Sequence, residues 1–275
     1  MTTISLLADT MAEMTAPAIQ AAARRGAAAL LPVGVMECHG PHLPIGTDAY
    51  IAHALCRSTQ RYAAARGRET LIAPPFYWGI NGILVDYPGS FRIRPATAAA
   101  LLTDVIESLF ENEFQDVLLV SHHGDRIHNE MIRDVLTELH AKGRQGQDRR
   151  ARWLYTPFRW RMFERIGQTG KEPIWVPWQP VPEMEDFRLT GNLGVHADEF
   201  ETAAMVRYFP DTVDYDALRD LEPTRLTLQD LQDWRKGGDE ARRLTPDGFF
   251  GAPNPIDPDL WRHYDETAKV MAAAI

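Results

Sequence analysis

Cysteine is scarce in this chain of 275 residues, which contains only Cys38 and Cys56. Two thiols cannot form the disulfide network that stabilises small secreted proteins, so they are typical of a reducing compartment. The N-terminus also lacks a basic start followed by an apolar core, which is the pattern of a secretory signal. We therefore expect a cytoplasmic protein.

Long apolar runs and clusters of basic residues are missing as well. No run approaches the ~20 apolar residues that a membrane-spanning helix needs, so we expect no membrane partner. The chain has 29 Lys and Arg against 38 Asp and Glu, which gives a formal net charge of −9. Because binding to a phosphate backbone needs clustered Lys and Arg, this balance disfavours a nucleic-acid partner.

What the chain does have is an alternation of short apolar runs with amphipathic segments. Continuous apolar runs are typical of strands that are buried on both faces. The alternation predicts an α/β fold, with a largely parallel sheet covered by helices on both faces, and the length fits one domain over residues 1–275. The predicted strands are 27–35, 70–75, 116–122 and 151–156, and the predicted helices are 11–26, 48–67, 96–114, 127–143, 197–209 and one at the C-terminus.

Two stretches rich in carboxylates and imidazoles follow the two most apolar strands: MECHGPHLPIGTD (36–48) and SHHGD (121–125). In open parallel sheets, ligands bind beyond the carboxyl ends of the strands. Residues two apart in an extended chain point to the same side. Glu37 with His39, and His123 with Asp125, can therefore each aim at one centre. A turn after His39 brings Asp48 back to the same centre. Strand alternation directs His122 to the opposite side from His123.

Three carboxylates and two imidazoles suit a divalent cation, with Zn and Mn as first choices. Five protein ligands are more than one catalytic Zn normally holds beside its water. We therefore predict two cations bridged by Asp48, whose carboxylate can offer one oxygen to each. Such a pair activates water and polarises a carbonyl, which predicts hydrolysis. The predicted metal ligands are Glu37, His39, Asp48, His123 and Asp125.

A third cluster, HADEFET (196–202), supplies candidate catalytic residues. A histidine at a helix start has a lowered pKa, so His196 can shuttle a proton to the leaving group. Glu201 either orients that histidine or contacts the metal shell. The preceding segment, 157–194, is rich in Trp, Pro and Gly and is interpreted either as a lid or as ordinary core. We predict substrate contacts from its Trp178 and from Arg126 and Asn192.

At these residues the chain resembles the creatininase (creatinine amidohydrolase) family. LPVGVMECHGPHLPIGTD (31–48) is similar to the family signature, and VDYPGSF, LLVSHHGD, VHADEFET and PDGFFGAP are similar to further family elements. The resemblance implies a three-layer α/β/α sandwich, a two-metal centre, hydrolysis of a small cyclic amide or formamide, and a homohexamer.

Carried over to this chain, the resemblance implies an arrangement of ligands around two ions. Glu37 and His123 would hold one ion, His39 and Asp125 the other, and Asp48 would bridge them. His196 matches the essential histidine of the family, and Glu201 matches the Glu of its ETS element. Asn192 stands where creatinine hydrolases carry a Trp, and Arg126 also departs from the family pattern, so the resemblance does not extend to creatinine as substrate.

The sequence therefore leaves three candidate functions. The first is metal-dependent hydrolysis of a C–N bond in a small cyclic amide or formamide. The second is ring-opening C–C hydrolysis of an oxidised cyclitol (a keto-inositol), which the same centre would support by stabilising an enolate. The third is a metal-binding accessory protein without catalysis, which the presence of His196 and Glu201 disfavours.

Overall fold

In the part of the chain that the structure describes, four parallel strands form a sheet at the centre of the molecule. The computed structural model describes residues 5–143, 149–154, 167–169, 172–176, 191–254, 257 and 259–275. The strands lie in the order β2-β1-β3-β4, and every neighbouring pair is parallel. The strands are β1 (Ala28–Val33), β2 (Thr70–Ile72), β3 (Asp116–Ser121) and β4 (Arg150–Trp153).

Helices cover both faces of this sheet. Because side chains alternate along a strand, Leu31 of β1 and Leu119 of β3 face one layer, and Leu30 and Leu118 face the other. All four are 0% exposed, and full burial of each contributes about 1.5–3 kcal/mol. The first layer is built from α1, α3 and α4 and the second from α2, α5 and α9. The described helices are α1 (Ala16–Arg24), α2 (Thr47–Ala64), α3 (Pro95–Glu111), α4 (Arg126–Gly143), α5 (Glu199–Tyr208), α6 (Tyr215–Arg219), α7 (Leu228–Trp234), α8 (Gly238–Leu244) and α9 (Arg262–Ala273).

The architecture confirms the predicted three-layer α/β/α fold, with several elements shorter than the sequence predicts. The predicted strand 70–75 is paired only over Thr70–Ile72, and the predicted helix 11–26 is a 3-10 turn at Met11–Glu13 followed by α1. The helices α6, α7 and α8 were not predicted. In the part of the chain that the structure describes, no helix is long and apolar enough to cross a membrane.

Trp153, at the end of β4, and Trp175, in the segment 157–194, belong to the core. Trp153 is 0% exposed and Trp175 is 4% exposed, and their rings stack with centroids 5.1 Å apart. They pack in the same cluster as the residues of α3 and α4. Trp160 and Trp178 lie outside the described residues.

Candidate metal centre

The loop between β1 and α2 brings its ligand-type residues into a tight turn. The backbone N–H of Glu37 donates to the carbonyl of Ile45 at 2.9 Å, which closes the loop around His39. At its start, Gly34 lies against α2: a Cβ on this residue would be 2.6 Å from the backbone nitrogen of Ala49. Only glycine permits this approach, and the approach places Asp48, in the first turn of α2, beside the loop.

One group of ligand atoms joins this loop to the end of β3. Nδ1 of His123 lies 3.3 Å from Oε1 of Glu37 and 3.1 Å from Oδ2 of Asp48. All three residues are buried, and their ligand atoms lie within 4.8 Å of one another. The prediction that the two ligand-rich stretches converge therefore agrees with the geometry.

A second group shares Asp48 with the first. Nε2 of His39 lies 3.8 Å from Oδ1 of Asp48 and 3.7 Å from Oε2 of Glu201. The two oxygens of Asp48 thus face different imidazoles. A third group combines Glu37, His39 and His196, with Nδ1 of His196 3.6 Å from Oε1 of Glu37.

Backbone carbonyls fix the tautomers of the three histidines. Nδ1 of His39 lies 3.0 Å from the carbonyl of Glu37, Nε2 of His123 lies 3.0 Å from that of Ile80, and Nε2 of His196 lies 2.8 Å from that of Cys38. Each of these nitrogens must be the N–H, because a carbonyl only accepts. In the neutral form of each ring, the other nitrogen therefore turns a lone pair towards the carboxylates, as in metal-bound histidines.

The spacing between these ligand atoms is longer than that of direct hydrogen bonds. A direct charge-assisted N–H···O contact is about 2.7–2.9 Å long, whereas two ligands that are each ~2.1 Å from one cation lie roughly 3–3.5 Å apart. The two N···O distances of His123, 3.3 and 3.1 Å, lie in the range for a cation. The three distances of His39 and His196 are longer, from 3.6 to 3.8 Å. Among the described residues, Nε2 of His39 and Oδ2 of Asp48 are buried without a hydrogen-bond partner. Both atoms can accept a cation.

The electrostatic field of the cluster also favours positive charge. Burial acts to lower the pKa of His39, but the carboxylates of Asp48 and Glu201 outweigh burial and raise it to about 9. Burial likewise opposes protonation of His123, yet Glu37 and Asp48 raise its pKa well above the usual value. The field that favours a proton on these rings also favours a divalent cation between them.

His196 and Glu201 respond to the same surroundings in different ways. The pKa of His196 is lowered by burial and by the nearby His39, so its imidazole is held neutral. Burial acts to raise the pKa of Glu201, but the hydrogen bond with His122 and the neighbouring imidazoles lower it to about 2. Oε2 of Glu201 also accepts from the backbone N–H of Ala197 at 2.7 Å. Glu201 is therefore a fixed carboxylate in the cluster.

Asp125, also predicted as a ligand, accepts hydrogen bonds from three backbone N–H groups. Its Oδ1 accepts from the backbone N–H groups of Ile127 at 2.8 Å and His128 at 3.1 Å, and its Oδ2 accepts from that of Gly82 at 3.1 Å. The chain turns directly into α4 after this residue, so Asp125 caps the helix instead of continuing an extended strand. It lines the same cavity but belongs to none of the three ligand groups among the described residues.

Two of the three predicted substrate contacts, Arg126 and Asn192, do not line the cavity beside the cluster. The side chain of Arg126 is 68% exposed and pairs with Glu130 at 2.8 Å, because α4 directs it outward. Asn192 is half-buried, and neither residue is among those that line the cavity. Trp178 lies outside the described residues.

The cavity beside the cluster, of about 270 Å³, contains residues that the sequence did not single out. Asn81 lines it, is 5% exposed, and has a side-chain nitrogen without a hydrogen-bond partner among the described residues. His122 also lines it, with Nε2 3.3 Å from Oε1 of Glu201. Strand alternation directed His122 away from the site, but β3 ends at Ser121, so alternation no longer applies there. No spacing pattern indicated Asn81.

A buried cluster of carboxylates and imidazoles at the carboxyl edge of a parallel sheet is typical of the active site of a metal-dependent α/β enzyme. The family profile described as Creatininase: Creatinine amidohydrolase matches residues 12–273. The chain therefore belongs to the creatininase family of hydrolases.

Individual relatives carry different activities. The chain is 31% identical over 118 residues to a mycofactocin precursor peptide peptidase of Mycolicibacterium smegmatis, covering 42% of this chain and 47% of that protein. It is 27% identical over 213 residues to a creatinine amidohydrolase of Pseudomonas putida, covering 74% and 72%. It is 22% identical over 201 residues to a 3-dehydro-scyllo-inosose hydrolase of Thermotoga maritima, covering 70% and 54%. The matched region thus spans about half the length of the peptidases.

Solved structures share the fold over nearly the whole chain. A creatininase with Mn has a TM-score of 0.66 at 22% identity, covering 97% of this chain and 95% of its own. A creatininase variant of Zn-Zn type has a TM-score of 0.68 at 22% identity, covering 99% and 98%.

Proposed function

We propose that this protein is a hydrolase with two divalent cations, Zn and/or Mn, that cleaves the C–N bond of a small cyclic amide or formamide. Glu37, Asp48 and His123 would hold one cation, and His39, Asp48 and Glu201 the other. The observation that carries the proposal is the position of Asp48, whose two oxygens face the imidazoles of different groups. The similar creatininases with Mn and of Zn-Zn type support this choice of ions.

The chemistry divides between the cations and the side chains around them. Two cations in these positions would lower the pKa of a shared water and polarise the carbonyl of the substrate. His196 turns its Nδ1 lone pair towards the cluster and is held in that orientation by the carbonyl of Cys38. It can accept a proton there and return it to the leaving nitrogen, which is worth about 10²–10⁴-fold in rate. The buried amide of Asn81 is placed to donate a hydrogen bond to the substrate.

Two other reactions compete with cyclic-amide hydrolysis. The similarity to the mycofactocin peptide peptidase favours the peptide bond as an alternative C–N target. The similarity to 3-dehydro-scyllo-inosose hydrolase favours ring opening of a keto-inositol. All three substrates present a carbonyl to the same centre, so the choice depends on the walls of the cavity.

A substrate panel tests the proposal. Creatinine, a hydantoin, N-formyl compounds, short peptides and a keto-inositol would be incubated with protein supplied with Zn²⁺ or Mn²⁺. We expect turnover of a cyclic amide or formamide. Turnover of the keto-inositol alone, or of none of these compounds, would contradict C–N hydrolysis of small amides.

The His196→Ala variant separates proton transfer from cation binding. We expect turnover to fall by about 10²–10⁴-fold while metal analysis still finds two ions per chain. His140→Ala, in the last turn of α4 and outside the ligand groups, is the matched control and should keep full turnover. Undiminished turnover in His196→Ala would remove the proton-transfer role.

The remaining parts of the proposal follow from the resemblance, for the assembly, and from the scarcity of cysteine, for the location. We propose a homo-oligomer, a hexamer as is typical of the family, and a cytoplasmic location. Light scattering on the purified protein measures the assembly, and a mass corresponding to a single chain would contradict it.

A further inference from the structure

His122 contacts one carboxylate of the proposed centre. It follows directly after β3, is 5% exposed, and its Nε2 lies 3.3 Å from Oε1 of Glu201. Its ring packs against that of Tyr264 with centroids 5.5 Å apart. The imidazole is therefore held by packing on one side and faces a carboxylate on the other.

The two oxygens of Glu201 have different surroundings. Oε1 faces His122, whereas Oε2 accepts from the N–H of Ala197 and lies 3.7 Å from Nε2 of His39. A carboxylate oxygen has two acceptor positions, so Oε2 can serve the Ala197 N–H and a cation together. Oε1 can accept a hydrogen bond from His122 while Oε2 keeps both of these contacts. A carboxylate held at both oxygens loses little conformational freedom when a cation arrives.

We propose that His122 is a positioning residue for the cation held by His39, Asp48 and Glu201. This inference rests on the two-cation centre proposed above. The Nε2–H of His122 donates to Oε1 of Glu201 and thereby keeps Oε2 aimed at His39. Glu201 belongs to this ligand group and not to the group of Glu37, Asp48 and His123. The effect of His122 therefore falls on one of the two cation positions.

Calorimetric titration of metal-free protein with Zn²⁺ tests the inference. His122→Phe keeps an aromatic ring against Tyr264 but removes the donor, and His122→Gln restores a donor at a similar reach. In His122→Phe we expect one of the two affinities to fall by about 10–100-fold, which is the usual cost of losing a group that supports a ligand. The other affinity should stay unchanged and so report a folded protein. His122→Gln should restore most of the loss.

Two controls separate positioning from general packing. His263→Phe makes the same change on another histidine of the cavity, one that packs against Phe200 and Tyr264, and it should leave both affinities unchanged. In the Glu201→Gln variant, the additional change His122→Phe should cause no further loss of Zn²⁺ affinity, because Glu201, the partner of His122, is already altered.

The outcomes distinguish the inference from the proposed function. If the wild type binds two Zn²⁺ and His122→Phe binds both equally well, only the positioning role is overturned. The positioning role is also overturned if His122→Phe weakens both Zn²⁺ affinities equally, or if His122→Gln does not recover the lost affinity. A wild type that binds no Zn²⁺ overturns the two-cation centre and the positioning role together.

Discussion

At the scale of single residues, the site depends most on Asp48. It is 1% exposed and lies within reach of both His39 and His123. Burial acts to raise its pKa, but the imidazoles of His123 and His39 lower it well below the usual value. A buried carboxylate of this kind is costly unless positive charge compensates it. The two imidazoles and the proposed cations provide that compensation.

Asp48→Asn removes the charge and one of the bridging oxygens while keeping the volume of the side chain. Loss of a supporting group near a metal costs about 10–100-fold in affinity or activity, and loss of a bridging ligand should cost at least as much. We expect metal analysis to find fewer than two ions per chain and turnover to fall with them. Asp216→Asn, an exposed aspartate of α6, should retain both ions. Two ions in Asp48→Asn would show that Asp48 does not bridge.

The sequence predicted some of these residues better than others, for a physical reason. Glu37, His39, Asp48 and His123 come together because they follow strand ends or begin a helix, and these positions are visible as patterns. Asp125 was predicted from i, i+2 spacing, which assumes an extended chain. The chain is already turning into α4, so Asp125 bonds to backbone N–H groups. Glu201 enters the cluster through tertiary packing, which spacing cannot reveal.

At the scale of elements, the contact between the β1–α2 loop and α2 positions the ligands. Gly34 has no side chain, and the backbone at Asp48 and Ala49 occupies the space that a Cβ would need. The loop and the helix are therefore in direct backbone contact. This contact places Glu37 and His39 at a fixed distance from Asp48.

Gly34→Ala should disturb both stability and cation binding. The added Cβ would meet the Ala49 nitrogen at 2.6 Å, and backbone atoms cannot yield as a flexible side chain can, so we expect a loss of about 1–3 kcal/mol. Calorimetric unfolding and Zn²⁺ titration measure the two effects. Gly46→Ala is the control in the same loop, because its Cβ would meet the ring of Tyr50 at an ordinary 3.4 Å. Equal behaviour of the two variants would contradict this role for Gly34.

A second element contact predicts a dependence of stability on pH. His53 of α2 is 0% exposed, and its Nε2 lies 2.9 Å from the carbonyl of Ala8. Burial, and then the charge of Arg57, lower its pKa in the folded protein. Below the ordinary histidine pKa of 6.5, the unfolded chain binds a proton that the folded chain does not, so stability falls as pH falls.

His53→Gln isolates this contribution, because glutamine does not titrate and can still donate to Ala8. The free energy of unfolding of the wild type should fall more steeply between about pH 6.5 and 5 than that of the variant. Denaturant titrations of the wild type and of His53→Gln at both pH values measure this difference. The histidines of the cluster titrate in both proteins, so their contributions cancel. Parallel pH profiles would show that His53 is not a titrating contact.

The elements that the sequence missed are short. The helices α6, α7 and α8 have five to seven residues each, too few for a periodic pattern to stand out. Local side-chain bonds start two of them: Asp214 caps α6, and Thr227 with Asp230 forms a capping box on α7. Such caps have a sequence signature, but the signature alone, without an apolar run after it, is not enough to predict a helix. Trp234 at the end of α7 lines the cavity, so these helices contribute to the site.

At the scale of the whole molecule, strand order decides whether a site exists. β1 and β3 are separated by more than 80 residues along the chain, yet they are neighbours in the sheet. The loops after them therefore open at the same edge and bring Glu37 within 3.3 Å of His123. The sequence predicts parallel strands but does not encode their order in any local pattern. The clustering of ligand-type residues at two strand ends was the indirect sign that those strands are adjacent.

Removal of the cations should lower the stability of the entire fold. Glu37 and His39 from the β1–α2 loop, Asp48 from α2, His123 from the end of β3 and Glu201 from α5 all contribute to the cluster. Cations there would join two helices of the second layer, α2 and α5, to the ends of β1 and β3. A ligand at 100 times its Kd stabilises the folded state by about 2.7 kcal/mol, which corresponds to roughly 5–10 °C in Tm for a chain of this size.

We therefore expect a chelator to lower Tm by at least roughly 5–10 °C. Excess Zn²⁺ or Mn²⁺ should restore Tm, which should rise with the concentration of free cation. Calorimetric scans with and without chelator measure the shift. Asp48→Asn, which loses one or both positions, should show a smaller shift on chelation, whereas Asp216→Asn should match the wild type. The protein would first be shown to hold the ions. The same Tm with and without chelator would then mean that the cations do not link α2 and α5 to the sheet.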